Sequence, residues 1–235
     1  VDGIAALSSP DDVALLLISK SGTTTETAAN GAVLLEALTA RFGAPAASRV
    51  VAITDEQSPL WTLAHQAGWA RMGIPAAVGG RFSVLSAVGL VPLALAGVDL
   101  QALQQGAIAM REQCLQADPT NPALQSATIL AHHVASKRRV HDTFVFRPQL
   151  EAWGKWYRQL SAESLGKEVD RDGVVTSVGF TPTVSVGSAD LHAVAQRSLT
   201  GPDETVTTFL SASGGDRVRV PADPVAKLVP DLAGK

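Results

Sequence analysis

An α/β fold built on a parallel sheet is the predicted class, and three observations predict it. Short apolar runs of strand length alternate with helical patterns in the order βαβαβ over the first third of the 235 residues. The first run, over 13–18, is continuously apolar, as expected of a strand buried on both faces. Parallel neighbours need helical crossovers, and the spacing supplies one between each pair of strands.

The elements follow in order. A strand over 13–18 leads into a helix over 24–41, whose Ala28, Val33, Leu34, Leu35 and Leu38 share an apolar face. Gly43, Ala44 and Pro45 end it. A second strand covers 49–54. Ser58 is placed to cap a short helix, with Pro59 in its first turn. A third strand lies near 69–72. A buried helix is predicted over 83–96 and another helix over 100–113. Asp118, Pro119, Thr120, Asn121 and Pro122 form a breaker cluster, the predicted linker between a first domain (1–117) and a second (118–235). The second domain starts with a helix over 123–136 and a strand over 143–146. A helix over 148–161 carries Trp153, Trp156 and Tyr157. A polar stretch (166–182), a short helix (190–198) and a strand (205–210) complete it. Residues 214–235 hold three prolines and no long periodic pattern, and read as a linker.

Composition narrows the function. Acids number 22 against 19 Lys plus Arg, a net charge of −3, which argues against nucleic acid or an anionic membrane as the main partner. Hydrophobic residues at 46% and charged residues at 17% exclude a disordered chain. The one cysteine, Cys114, forms no internal disulfide, which suits the cytoplasm. The longest apolar run, 84–98, is shorter than the ~20 residues that span a bilayer, and Ser86, Gly89 and Pro92 interrupt it. The chain begins at Val1 without a basic leader, so the start was processed or the chain is a piece of a longer one.

Four stretches carry chemistry. The first, Ser19, Lys20, Ser21, Gly22, Thr23, Thr24, Thr25, Glu26, Thr27, joins a buried strand to a helix. Ligands bind beyond the carboxyl ends of parallel strands, and a helix N-terminus with nearby hydroxyls suits phosphate. The plainer reading is one hydroxyl capping the helix. The spacing is not that of a P-loop. The second stretch is Gly79, Gly80, Arg81, Phe82, Ser83, where the glycines permit close approach and Arg81 suits an anion. The plainer reading is a tight turn. The third runs from Gln159 to Lys167, with Glu163 as a candidate general base or an ordinary exposed carboxylate. The fourth, Gly187 to His192, puts His192 in the first turn of a helix. His65, His132, His133 and His141 have weaker contexts. His132 and His133 are adjacent, so they are expected to point apart, and no zinc site is predicted.

Together, and in this order, these stretches resemble the glucose-6-phosphate isomerase family, built from sugar-isomerase (SIS) domains. The first is similar to the family's Ser-Lys-Thr-x-Thr-Thr-x-Glu-Thr loop, with Ser21 in place of the Thr. Gly-Gly-Arg-Phe-Ser and Gln-x-x-x-Glu-Ser-x-Gly-Lys match fully, and Gly-Ser/Thr-x-x-x-His matches at 187–192. The resemblance covers about residues 1–212. It implies a doubly wound parallel sheet in an αβα sandwich, as two SIS-like subdomains, both incomplete. It implies interconversion of glucose 6-phosphate and fructose 6-phosphate through a cis-enediol, without a cofactor or metal. Ser19, Ser21 and Thr24 would hold the 6-phosphate, near the Lys20 and Gly22 backbone. His192 would assist ring opening. Glu163 would move the proton between C2 and C1. Arg81, after Gly80, would stabilise the enediolate. Glu26 would orient His192, and Gln159 would contact sugar or phosphate. The resemblance also implies a cytoplasmic homodimer in which His192 serves the neighbouring subunit's site. The family's Gly-Gly-Ser segment before the first motif is not in the sequence, and Lys235 has no context for the family's C-terminal lysine. The chain therefore reads as an internal fragment of a longer isomerase. The competing reading is a non-catalytic SIS-type sugar-phosphate-binding domain, which keeps the hydroxyl loop without needing the base.

Overall fold

The computed structural model describes residues 2–214, so the stretch over 214–235 that reads as a linker lies almost wholly outside the described residues. The chain divides into two compact units, one reaching Ile129 and one starting at Leu130. The class is α/β with parallel sheets, as predicted.

In the first unit a short helix, α1 (Asp2–Ala5), precedes strand β1 (Leu15–Ile18). Helix α2 (Thr25–Phe42), β2 (Val50–Thr54), α3 (Pro59–Gln66) and β3 (Ala70–Gly73) follow. The strands are parallel in the order β1-β2-β3, with Leu15 opposite Val50 and Val51 opposite Ala70. Leu15, Leu17, Leu38, Val50, Ala52, Leu60 and Ala64 form the core, and Leu38 is only 1% exposed. Burying such a leucine contributes about 1.5–3 kcal/mol. Ser58 caps α3 as predicted, accepting from the Trp61 N–H at 3.1 Å. Gly31 on α2 lets the helix close on β1, because a Cβ there would lie 2.7 Å from Leu17 Cδ2.

The predicted buried helix over 83–96 is corrected. A 3₁₀ turn (Gly80–Leu85) gives way at Ser86, in extended conformation, to α4 (Ala87–Leu95), and none of α4's residues is buried. The reason is the serines. Ser83 Oγ donates to the Gly80 carbonyl and Ser86 Oγ to the Ser83 carbonyl, both at 2.6 Å. These local bonds compete with a continuous helix. Helix α5 (Leu100–Cys114) is capped by Asp99, and α6 (Pro122–Ala135) by Asn121, whose Oδ1 accepts from Ala123 and Leu124. The division between the units falls inside α6. His132 and His133 do not point apart. Their ring centroids are 5.7 Å apart, edge-on, since imidazoles on adjacent helical positions are long enough to meet.

The second unit centres on β4 (Val140–Val145), flanked in parallel by β7 (Thr181–Val186) and β8 (Thr205–Leu210) in the order β7-β4-β8. Helix α7 (Glu151–Leu165), after a 3₁₀ turn at Pro148–Leu150, links β4 to β7. Gly154 brings α7 onto the sheet, since a Cβ there would meet Val184 Cγ1 at 2.7 Å. The polar stretch over 166–182 is corrected too. It folds into an antiparallel hairpin, β5 (Lys167–Val169) and β6 (Val175–Val178), and then enters β7. Asp170 Oδ1 closes the hairpin turn by accepting from Asp172 and Val174 at 2.9 Å. The helix predicted over 190–198 is two short ones, α8 (Ala189–Ala193) and α9 (Ala195–Thr200). Among the described residues no helix is long and apolar enough to cross a membrane.

β4 buries three polar residues, His141, Asp142 and Thr143, and the first two lie on opposite faces. Asp142 is 7% exposed and accepts from Thr183 Oγ1 at 2.7 Å and Ser185 Oγ at 3.0 Å. His141 is 3% exposed, with Nε2 2.9 Å from Thr208 Oγ1 and its ring edge-on to Tyr157 and Phe180. Its Nδ1 has no hydrogen-bond partner among the described residues. Burial pushes the His141 pKa below the usual 6.5, and the Asp142 charge opposes this only in part. The folded protein therefore resists a proton that the unfolded chain accepts near pH 6.5. Stability from this site is full above that pH and falls as the pH drops below it, levelling beneath the folded pKa. We expect equilibrium unfolding to show this loss at no more than about 1.4 kcal/mol per pH unit for one group. The His141→Gln variant, which cannot take up the proton, should lack that component of the slope.

Candidate active site

Ser19 ends β1 and organises the first cluster. It is 6% exposed, and its N–H donates to the Ile53 carbonyl at 3.1 Å, which carries the ladder one residue past the strand. Its hydroxyl accepts from the Gly22 N–H at 3.1 Å and shares a 2.8 Å hydrogen bond with Thr24 Oγ1. Its carbonyl accepts from Thr54 Oγ1 at 2.6 Å, and Thr54 Oγ1 lies 2.7 Å from Ser58 Oγ. Thr54 has one hydroxyl proton and commits it to Ser19, so the Ser58 hydroxyl donates to Thr54. Gly22 turns the loop at φ +70°, and a Cβ there would sit 2.9 Å from the Leu60 backbone nitrogen and from Ser58. Ser21 Oγ accepts from the Thr23 N–H at 3.2 Å.

The loop delivers the chain into α2. Thr24 is the N-cap residue, yet its side chain makes no capping bond, because it is turned toward Ser19. The plainer reading, a hydroxyl that merely caps the helix, does not describe this loop. The first-turn N–H groups of an 18-residue helix stay without a side-chain cap, beside hydroxyls, with the positive end of the helix dipole. That arrangement suits phosphate. Glu26 is exposed in the same turn. Ser19, Gly22, Thr24 and Thr27 form the polar end of a cavity of about 410 Å³ whose walls include Leu17, Leu35, Leu60 and Trp69.

Lys20 does not extend into solvent. Its Nζ donates to the carbonyls of Ala76 at 2.9 Å and Val78 at 2.7 Å. Those residues lead into Gly79 and Gly80, where the 3₁₀ turn begins. Arg81 lies in that turn, its guanidinium carbon 4.9 Å from the Phe82 ring centroid.

In the second unit, helical spacing separates structure from chemistry on α7. Gly154 and Ser161, seven apart, are the buried positions. Gln159 and Glu163, four apart, share the exposed face, and Gln159 Nε2 donates to Glu163 Oε1 at 3.0 Å. Lys167 Nζ donates to the Glu163 carbonyl at 3.2 Å. His192 is exposed on α8, which Asp190 ties to the end of β7 by accepting from the Val186 N–H at 2.6 Å. The structure thus gathers Ser19, Lys20, Ser21, Gly22 and Thr24 around one loop, with Gly80 and Arg81 joined to it through Lys20. Gln159 and Glu163 form a pair, and His192 stands on its own short helix. Thr54 and Ser58 support the loop and were not predicted as site residues. Their signal was a strand-ending Thr followed by a capping Ser.

Residues 4–205 match the phosphoglucose isomerase family. The chain belongs to that family. It is 39% identical over 206 residues to a glucose-6-phosphate isomerase of Thermus thermophilus, covering 87% of this chain and 49% of the relative. It is 34% identical over 223 residues to a probable glucose-6-phosphate isomerase of Haloarcula marismortui, covering 95% of this chain and 49% of the relative. The chain thus spans about half the length of these curated relatives. Its fold is similar to the crystal structure of a hypothetical protein from Thermus thermophilus, with a TM-score of 0.87 and 36% identity, covering 99% of this chain and 55% of that one. A glucose-6-phosphate isomerase structure from Chlamydia trachomatis gives a TM-score of 0.76 at 25% identity, over 88% of this chain and 41% of that one.

The geometry predicts the cost of disturbing the loop. Gly22→Ala forces a β-carbon against backbone at positive φ, and should lower unfolding free energy by about 1–3 kcal/mol in urea denaturation. Thr54→Val keeps the shape but leaves the buried Ser19 carbonyl without this donor, and should cost about 1–3 kcal/mol by the same measurement.

Proposed function

We propose that the chain carries the catalytic core of an isomerase that interconverts glucose 6-phosphate and fructose 6-phosphate, a step of glycolysis and gluconeogenesis. The observation that carries this reading is the Glu163 carboxylate held by Gln159 on the open face of α7. A domain that only bound sugar phosphate would need the hydroxyl loop but no oriented base. Family membership and the relatives' names support the same reading.

In this reading the 6-phosphate is held by the hydroxyls of Ser19, Ser21 and Thr24 and the first-turn N–H groups of α2. His192 passes a proton to the ring oxygen as the C1–O5 bond breaks, and the O1 hydroxyl gives up its proton as C1 becomes a carbonyl. Glu163 removes the proton at C2 of the open aldose, and O1 gains a proton as the double bond shifts to C1–C2. Arg81 offsets the charge that develops on the enediolate oxygens. Glu163 then returns the proton to C1 while O2 loses its own, giving the ketose, with no net gain or loss of electrons. The two predicted domains divide this work, the first holding phosphate and Arg81, the second the base and His192. Glu26 orients His192, and a homodimer supplies that histidine across subunits. A single cysteine, exposed and without a disulfide partner in the sequence, suits the cytoplasm.

The test is turnover of fructose 6-phosphate in a coupled assay, with binding measured in parallel. Glu163→Gln should lower turnover about 10²–10⁴-fold while the sugar-phosphate Kd changes little. Undiminished turnover in that variant, or neither binding nor turnover in the parent chain, would overturn the reading.

A further inference from the structure

Lys20 sits between two residues read as phosphate ligands, where a cation is expected to face the anion. Its side chain does something else. The backbone at its root is fixed, since the Lys20 carbonyl accepts from the Asp55 N–H at 3.2 Å and Ser19 is held on both sides. Its ammonium has three donors, and two of them are engaged by the Ala76 and Val78 carbonyls. The segment they belong to starts at Ile74, whose N–H donates to the Thr54 carbonyl, and bends through a Val78 N–H to Pro75 carbonyl bond. Next comes a turn closed on itself by the Phe82 N–H to Gly79 carbonyl bond and by Ser83 Oγ to the Gly80 carbonyl. Arg81 rides inside that turn. The Lys20 bonds span 56 and 58 positions of sequence and join the hydroxyl loop to the approach to Arg81.

We propose that Lys20 is a positioning residue for Arg81, a strap that sets the turn of residues 79–83 against the hydroxyl loop rather than a cation that neutralises bound phosphate. A compact ammonium on a flexible stem can converge on two carbonyls, which a carboxylate, having no donor, cannot do. This rests on the functional reading for Arg81's role, while the strap itself is a property of the fold.

Lys20→Met keeps the stem and removes the donors. Amide hydrogen exchange over 76–80 should rise about tenfold to a hundredfold, as expected on losing charge-assisted hydrogen bonds, with α5 unchanged. The Kd for inorganic phosphate should stay within about threefold, because the hydroxyls and helix N–H groups remain. kcat should fall by about tenfold or more at nearly constant KM, and the fall should vanish in an Arg81→Met background, since the strap acts through that residue. Lys20→Arg, which keeps a cation with donors in reach, should restore slow exchange. A tenfold weaker phosphate Kd with unchanged exchange would make Lys20 a phosphate ligand and overturn the proposal. So would an equal loss of kcat with and without Arg81. Should the parent chain neither bind nor turn over sugar phosphate, the functional reading fails, whereas the exchange measurement still decides the strap.

Discussion

The hydrogen bond from Thr54 Oγ1 to the Ser19 carbonyl joins the ends of β1 and β2 at the point where both strands turn into loops. Thr54 is fully buried, so its hydroxyl must be satisfied inside the protein. It donates to Ser19 and accepts from Ser58, and Ser58 in turn accepts from the first turn of α3. One chain of hydroxyls therefore sets the hydroxyl loop, the cap of α3 and the end of the central strand. Gly22 is required by the same network, since its turn packs directly against Ser58 and Leu60. These groups are engaged with one another and leave the α2 N–H groups without a side-chain cap at the sheet's carboxyl edge, an arrangement that suits an anion.

The second unit repeats the principle with different chemistry. Its central strand buries a carboxylate, and Thr183 and Ser185 on β7 supply the donors that a buried charge needs. On the other face His141 meets Thr208, Tyr157 and Phe180. The polar residues of β4 are thus internal joints between strands. The candidate site residues stand outside this core, on the open face of α7 and on α8. Close packing at Gly154 and the exposure of Glu163 are two consequences of one helical period.

Much of this was legible in the residues. The strand over 205–210 was read to its ends, and the first three strands to within two residues. The cap at Ser58 and the chemical stretches stood out because each is a local pattern. Strand β7 did not stand out. Thr-Pro-Thr-Val-Ser-Val looks like a loop until Asp142 is placed opposite its hydroxyls. The break at Ser86 was hidden because apolar content reads as continuous helix, while two serine hydroxyls divide it. His141 looked like the weaker histidine and proved to be the buried one.

The sequence by itself determined what nearest neighbours along the chain determine. It set the alternation that makes parallel sheets, the helix cap at Ser58, and the i, i+4 spacing that pairs Gln159 with Glu163. Tertiary structure alone decided which polar groups meet across the fold. Thr54 reaches Ser19 over 35 positions, Asp142 reaches Thr183 over 41, Lys20 reaches Val78 over 58 and His141 reaches Thr208 over 67. No local pattern encodes those pairings. Each arises because strand register and helix crossover bring distant donors and acceptors together away from water, where a buried polar group without a partner is costly.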